Sequence, residues 1–178
     1  MPYLVFDLDG TLLDSDAALA GAFVRLGVPA DQVTFGHVVA DECARLGLAL
    51  DDYLAAYDTS EARPFPGVDE ALAALSGYSV CSNKARVSGV AELAGLGWEP
   101  EVALFADDFG GGPKRLGPVL AALDMRGADV VFVGDTAHDA RCAAAEGAAF
   151  AAAAWNPRAV DLAADVVLRH PRELLDLL

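Results

Sequence analysis

Residues 2–11 read Pro-Tyr-Leu-Val-Phe-Asp-Leu-Asp-Gly-Thr, and the fold follows from how this stretch is built. A short apolar run, Tyr3 to Phe6, is rich in strand formers and is closed by Asp and Gly, the pattern of a buried strand emptying into a turn. Similar runs recur downstream: Tyr78 to Cys81 before Ser82-Asn83, Val102 to Phe105 before Asp107-Asp108 and three glycines, and Val130 to Val133 before Gly134-Asp135. Helix-like stretches lie between them, at Val68 to Leu75, Arg86 to Leu96, Arg115 to Leu123 and Ala137 to Glu146. The alternation predicts an α/β fold with a parallel sheet covered by helices on both faces. Ligands of such sheets bind at the carboxyl ends of the strands, which is where the polar residues fall.

Residues 16–63 break the alternation. Three helix-like patterns around Ala17 to Leu26, Val38 to Leu46 and Asp51 to Tyr57 predict a small helical insert, and Arg63-Pro64-Phe65-Pro66-Gly67 is a stiff turning connection back to the sheet. In Ala148 to Ala154, helix propensity competes with a position between Gly147 and Trp155-Asn156-Pro157, and the position favours a strand. Asp165 to Leu168 reads as a short strand, and Pro171 to Leu178 as a closing helix with proline near its start.

The chain has 178 residues, 54% of them hydrophobic and 22% charged, which suits one core with a small insert and not a disordered segment. The first apolar run is too short for a signal-peptide core, and no run approaches the ~18 residues of a membrane span, so a cytoplasmic protein is expected. Cys43, Cys81 and Cys142 form no metal-ligand spacing and read as reduced, buried thiols. A formal charge of −15 excludes nucleic acid and anionic membranes as general partners of the surface. An anionic substrate must therefore meet concentrated positive charge inside the pocket, and only two lysines exist, Lys84 and Lys114.

Asp7 and Asp9 lie two apart at a strand end, so both side chains share one face while Leu8 turns to the other and can pack in the core. Gly10 lets the backbone turn and bares amides for phosphate oxygens, and Thr11 adds a hydroxyl donor. An isolated pair of this kind would read as a solvated strand end before an Asp-Gly turn. Here Asp135 and Asp139 follow another strand end, and folding onto the same edge gathers four carboxylates, a costly cluster without a divalent cation. Magnesium is the simplest such ion, since it accepts a few carboxylates and keeps positions for water and phosphate oxygens. Taken singly, Asp135 reads as a helix cap and Asp139 as a first-turn acid. Ser82 and Asn83 can donate to phosphate from a strand end or serve as turn residues. Lys114 follows Gly110-Gly111-Gly112-Pro113 and can reach a transferring phosphoryl group, although most lysines are solvated. Lys84, two residues beyond Ser82, is expected to enter the next helix and stay peripheral, worth well under ~1 kcal/mol.

FDLDGTLLDS (residues 6–15), VCSNK (80–84), Lys114 in GGGPKR (110–115) and VGDTAHDA (133–140) match, in order, the four motifs of the haloacid dehalogenase (HAD) superfamily. Over essentially its whole length the chain resembles the phosphoglycolate-phosphatase-like branch, with PFPGVDEAL (64–72) also family-like. The third motif departs from the frequent Lys-Pro-x-Pro, since Pro113 precedes the lysine. The resemblance implies a Rossmann-like core of residues 1–15 and 64–178 with a helical cap of residues 16–63. It also implies a magnesium-dependent phosphatase acting on a small phosphorylated metabolite. Asp7 would form an aspartyl-phosphate, and Asp9 would protonate the leaving group and then activate water. Magnesium would be held by Asp7, the Asp9 carbonyl and Asp135, with Asp139 supporting that shell.

Three other readings stand beside this one: a phosphate-sensing or partner-binding protein that kept the pocket, a receiver-type phosphoacceptor, and a sugar phosphomutase. The helical insert and the Asp7/Asp9 pair count against the second. The cap contains no lysine, which disfavours an imine-forming phosphonate hydrolase. Substrate choice falls to the cap lining, with Arg25, His37, Arg45, Tyr53 and Tyr57 as the residues to orient; His37 reads as solvated or packed.

Overall fold

The protein is described by a computed structural model of residues 1–178. The chain opens with β1 (Tyr3–Phe6) and β2 (Leu13–Asp14), followed by helices α1 (Asp16–Arg25), α2 (Val39–Arg45) and α3 (Leu50–Ala56). It returns through β3 (Arg63–Pro64) and alternates from there: α4 (Val68–Ala73), β4 (Ser79–Cys81), α5 (Arg86–Leu96), β5 (Ala103–Leu104), α6 (Leu116–Leu123), β6 (Val130–Gly134), α7 (Ala137–Ala145) and β7 (Ala149–Ala153). β8 (Val166–Leu168) and a 3₁₀ segment, Pro171–Leu177, close the chain.

Six strands form one sheet in the order β5-β4-β1-β6-β7-β8, and every pairing is parallel. β1 sits in the interior, aligned Phe6 to Val80 on one side and Phe6 to Val133 on the other. A strand with neighbours on both sides and helices on both faces must be apolar throughout, which is why Tyr3 to Phe6 shows no polar alternation. The two-residue period still divides the core. Leu4, Phe6, Leu8, Val131 and Val133 join a cluster on one face that continues into the inserted helices through Phe23 and Tyr53. Val5, Phe132 and Phe150 join a second cluster with Leu116, Val119 and Leu120 of α6 on the other.

The alanine stretch is strand β7, as its position between Gly147 and Trp155 required; Ala151, Ala152 and Ala153 are fully buried in register with β6 and β8. Here the sheet pairing overrides helix propensity. The two ends of the insert are held by a feature not expected from the sequence: β2 and β3 pair antiparallel, Leu13 to Pro64 and Asp14 to Arg63. The turning connection is thus also half of a two-stranded ribbon. The closing helix is 3₁₀ and not α, with Leu174 fully buried as its anchor. No helix is long and apolar enough to cross a membrane.

Candidate active site

β1, β4 and β6 end side by side, and their carboxyl-terminal loops bring Asp7, Ser82-Asn83 and Asp135 to one edge. Gly10 makes this possible. Its φ of +80° is in the region that side-chain-bearing residues avoid, and a Cβ there would lie 2.3 Å from the Asp135 Oδ2. Its amide donates to the Leu13 carbonyl at 2.8 Å, so close approach and turning, not a free amide, are what this glycine supplies. Thr11 likewise differs from expectation: its hydroxyl donates to Asp135 Oδ1 at 3.2 Å and it is fully buried.

Asp7, Asp135 and Asp139 are buried, and one carboxylate oxygen from each lies within 4.8 Å of the others. Asp139 reaches the cluster from the first turn of α7, where its Oδ2 accepts from the Thr136 amide (2.9 Å) and hydroxyl (2.6 Å). That leaves Oδ1 for Lys114, whose Nζ is 2.6 Å from Asp139 Oδ1 and 2.6 Å from Asp7 Oδ1. Lys114 is 1% exposed, far from a solvated lysine. It is seated by its own backbone: its amide donates to Asn83 Oδ1 at 2.7 Å, and its carbonyl accepts from the Cys142 thiol at 3.3 Å. Asn83 therefore acts on Lys114, while its Nδ2 donates to the Gly36 carbonyl of the insert at 3.4 Å. Ser82 Oγ accepts from the Lys84 amide at 3.2 Å.

The carboxylate cluster has three members and not four, because Asp9 turns away from it. Asp9 Oδ1 lies 2.6 Å from Lys84 Nζ, and the same ammonium is 3.0 Å from Glu92 Oε2 of α5 and 3.0 Å from the Tyr57 hydroxyl of the insert. Tyr57 in turn donates to Glu92 Oε1. The expectation of a peripheral Lys84 fails: it is 5% exposed and joins the first motif, α5 and the insert. The backbone explains this, since Ala85 is still extended (ψ 135°) and α5 starts only at Arg86, leaving Lys84 in the connecting loop.

Two further residues escaped the sequence reading. Arg158 Nε is 3.1 Å from Asp135 Oδ2 while its Nη2 is 2.7 Å from both Asp16 oxygens. Asn156 Nδ2 donates to the Gly10 carbonyl (2.8 Å) and to Asp135 Oδ2 (3.1 Å). Both follow β7, so the strand-end rule applied to β1, β4 and β6 would have found them.

Burial pushes the Asp7 carboxyl well above the usual carboxylate range; Lys114 opposes the rise, and Asp139 and Asp135 reinforce it. Burial likewise raises Asp135, reinforced by Asp139 and opposed by Arg158 and Lys114. Three buried carboxylates gathered within 4.8 Å of one another are a set of hard oxygen donors that fits a divalent cation. A cavity of about 60 Å³ opens above them between the sheet edge and the insert, with Asp7, Asp9 and Asp135 on its floor and Phe23, Phe35 and Tyr53 on the insert side.

A sequence model of the haloacid dehalogenase-like hydrolases matches residues 1–147. This chain belongs to that family of hydrolases, in which the parallel sheet and the strand-end aspartates are now seen in place. Among its relatives is a probable phosphatase, IndB, of Dickeya dadantii, 30% identical over 197 aligned positions that cover 90% of this chain and 84% of the relative. The N-acetylmuramic acid 6-phosphate phosphatase of Pseudomonas aeruginosa is 28% identical, with 98% and 93% covered, and a phosphoglycolate phosphatase of Xanthomonas campestris is 28% identical, with 96% and 93% covered. Of solved structures, a HAD-superfamily hydrolase of subfamily IA from Geobacter sulfurreducens superposes with a TM-score of 0.80 at 26% identity over 100% of both chains.

Proposed function

We propose that the chain is a magnesium-dependent phosphatase of small phosphorylated metabolites, working in the cytoplasm through an aspartyl-phosphate on Asp7. The observation that carries this is the buried ammonium of Lys114 placed 2.6 Å from both Asp7 and Asp139, beside Asp135, beneath the cavity that Asp7 and Asp135 line. A solvated strand end has no reason to bury this much charge. Named relatives that are phosphatases support the same reading.

Asp7 Oδ1 takes the Leu8 amide (2.7 Å) and Lys114, which leaves Oδ2 to attack phosphorus. As the Oδ2–P bond forms, the bond from phosphorus to the ester oxygen breaks, and Asp9 delivers a proton to the departing alcohol. Asp9, now a carboxylate, takes a proton from water; the water oxygen attacks phosphorus, and the Asp7–phosphorus bond breaks to free phosphate. Lys114 offsets charge on the transferring group. Lys84 holds Asp9 Oδ1, so it is a positioning residue acting through Asp9. Magnesium, on Asp7, Asp135 and the Asp9 carbonyl, with Asp139 behind them, would supply charge neutralisation for the phosphate. Residues 16–63 act as the cap, closing on the core through Tyr57 and the Gly36 carbonyl.

Phosphate release from p-nitrophenyl phosphate and acetyl phosphate, measured with magnesium and with EDTA, tests the proposal. Magnesium-dependent turnover that disappears in Asp7→Asn is expected; turnover unaffected by either change removes the mechanism.

A further inference from the structure

Resting on the phosphatase reading, we propose that the ester this site takes carries an uncharged alcohol, which lays an apolar face against the cap and offers a hydrogen-bonding group to the Tyr53 hydroxyl.

Three pocket-lining groups can carry positive charge, and each already faces acid. His37 Nε2 is 3.0 Å from Glu42 Oε2. Lys84 is held between Asp9 and Glu92, at 2.6 and 3.0 Å. Arg158 is held between Asp16 and Asp135, at 2.7 and 3.1 Å. Asp7, Asp9, Asp16, Glu42 and Asp135 line the same cavity. Lys114 lies beneath Asp7 and is taken up by Asp7 and Asp139. The phosphoryl group itself can be met by a cation on the three aspartates and by Lys114, but a second anionic group farther out would find no unpaired cation and several carboxylates. Like charges brought together in a desolvated pocket select against a ligand, and this is how a site rejects one class of partner.

The insert supplies what a neutral group wants. Leu19, Phe23, Val33, Phe35 and Val39 are on the cavity wall. Tyr53 packs against Phe23 and stacks on Tyr57, with ring centroids 4.6 and 5.8 Å apart. Its hydroxyl is buried and has no hydrogen-bond partner, an unfavourable state that a ligand donor or acceptor would relieve. Tyr53 is the one lining residue whose buried side-chain polar atom lacks a partner, beside these apolar groups, and that specifies where the alcohol's polar group goes.

The test uses three small esters with magnesium and the full chain: 2-phosphoglycolate, 2-hydroxyethyl phosphate, in which a hydroxymethyl group replaces the carboxylate, and propyl phosphate. We expect kcat/KM for 2-hydroxyethyl phosphate to exceed that for 2-phosphoglycolate by about tenfold or more. Tyr53→Phe should cut the ratio of 2-hydroxyethyl to propyl phosphate by roughly fivefold, on the scale of one lost neutral hydrogen bond. A preference for 2-phosphoglycolate, or an unchanged ratio in the variant, overturns the inference and leaves the phosphatase reading standing. If no ester is hydrolysed, and p-nitrophenyl and acetyl phosphates are also inert, the phosphatase reading itself fails. The pocket's preference is then read from thermal shifts with magnesium and each ester. Greater stabilisation by 2-hydroxyethyl phosphate supports the neutral pocket, and equal or greater stabilisation by 2-phosphoglycolate overturns it.

Discussion

The two lysines of this acidic chain are both buried, and they stand under different aspartates. Lys114 touches Asp7 and Asp139, whereas Lys84 touches Asp9 and Glu92. Their loss should therefore be felt by different steps. Lys114→Met removes charge from the transferring group and should raise the barrier by about 3 kcal/mol or more for every substrate. Lys84→Met acts through Asp9, so its cost should be large for alkyl phosphates, whose leaving groups need a proton, and small for p-nitrophenyl phosphate. Steady-state kinetics on both ester types decides it; equal losses in Lys84→Met would remove Asp9 as the link. The same variant leaves Glu92 buried without its cation, and breaking a buried pair costs about 3–5 kcal/mol, visible as a lower urea midpoint. Asp7→Asn, which cannot form an acyl-phosphate, should abolish turnover while keeping the fold by circular dichroism. Asp7, Ser82-Asn83 and Asp135 can be picked out from the sequence because each follows a recognisable apolar run, and Lys114 because a glycine run precedes it. Lys84 could not be placed that way, since one extended residue, Ala85, decides whether its side chain joins the helix surface or turns inward.

At the scale of elements, the hydrophobic runs located the sheet strands and most helices because burial on both faces demands continuous apolar stretches. The β2/β3 ribbon was not legible, for two residues per strand carry no period. Arg158 lies on a 3₁₀ turn just past the alanine strand, where the strand-end rule points, but its pairing with Asp135 is visible only in the fold. The helix around Val38 to Leu46 was legible, but not the burial of its Glu42, which is 2% exposed and accepts from the Thr34 amide and from Arg45, with His37 beside it. Burial acts to raise its carboxyl, and the hydrogen bonds from Arg45, Thr34 and His37 outweigh burial and hold it at about 2. A depressed carboxyl stabilises the fold above its ordinary value of 4.5 and loses that contribution as the pH falls toward about 2. With Arg45 and His37 half exposed, solvent screening reduces the effect to about 1–2 kcal/mol. Glu42→Gln should thus lower stability at pH 7 by that amount, by clearly less at pH 3, and converge with the parent only near pH 2 in denaturant titrations. Equal destabilisation at every pH would show that packing, not charge, is what Glu42 supplies.

Across the whole molecule the charge balance sets how the site must be completed. The chain carries −15, so long-range attraction cannot bring in a phosphate dianion, and the local balance has to do it. Around the phosphate position three carboxylates, Asp7, Asp135 and Asp139, face two cationic side chains, Lys114 and Arg158, and Arg158 is shared with Asp16. With all three ionised, the floor is net negative and would repel a dianion; a divalent cation reverses the sign and makes the floor attractive. Stability should follow the same balance. In the metal-free protein Asp7 and Asp135 have carboxyls raised by burial, so the folded state keeps protons that the unfolded chain has released. Its stability therefore falls as pH rises from the ordinary value of 3.8 up through neutrality. A cation that binds only the folded state removes this slope by favouring the ionised carboxylates. At about 100 times its dissociation constant it adds ~2.7 kcal/mol. For a domain of this size that is a rise in melting temperature of roughly 5–10 °C. Thermal melts at pH 5 and pH 8, each with EDTA and with saturating magnesium, test this directly. The magnesium-induced rise should be larger at pH 8 than at pH 5, and Asp135→Ala should lose most of it; a rise equal at both pH values, or one that survives in Asp135→Ala, would place the cation elsewhere.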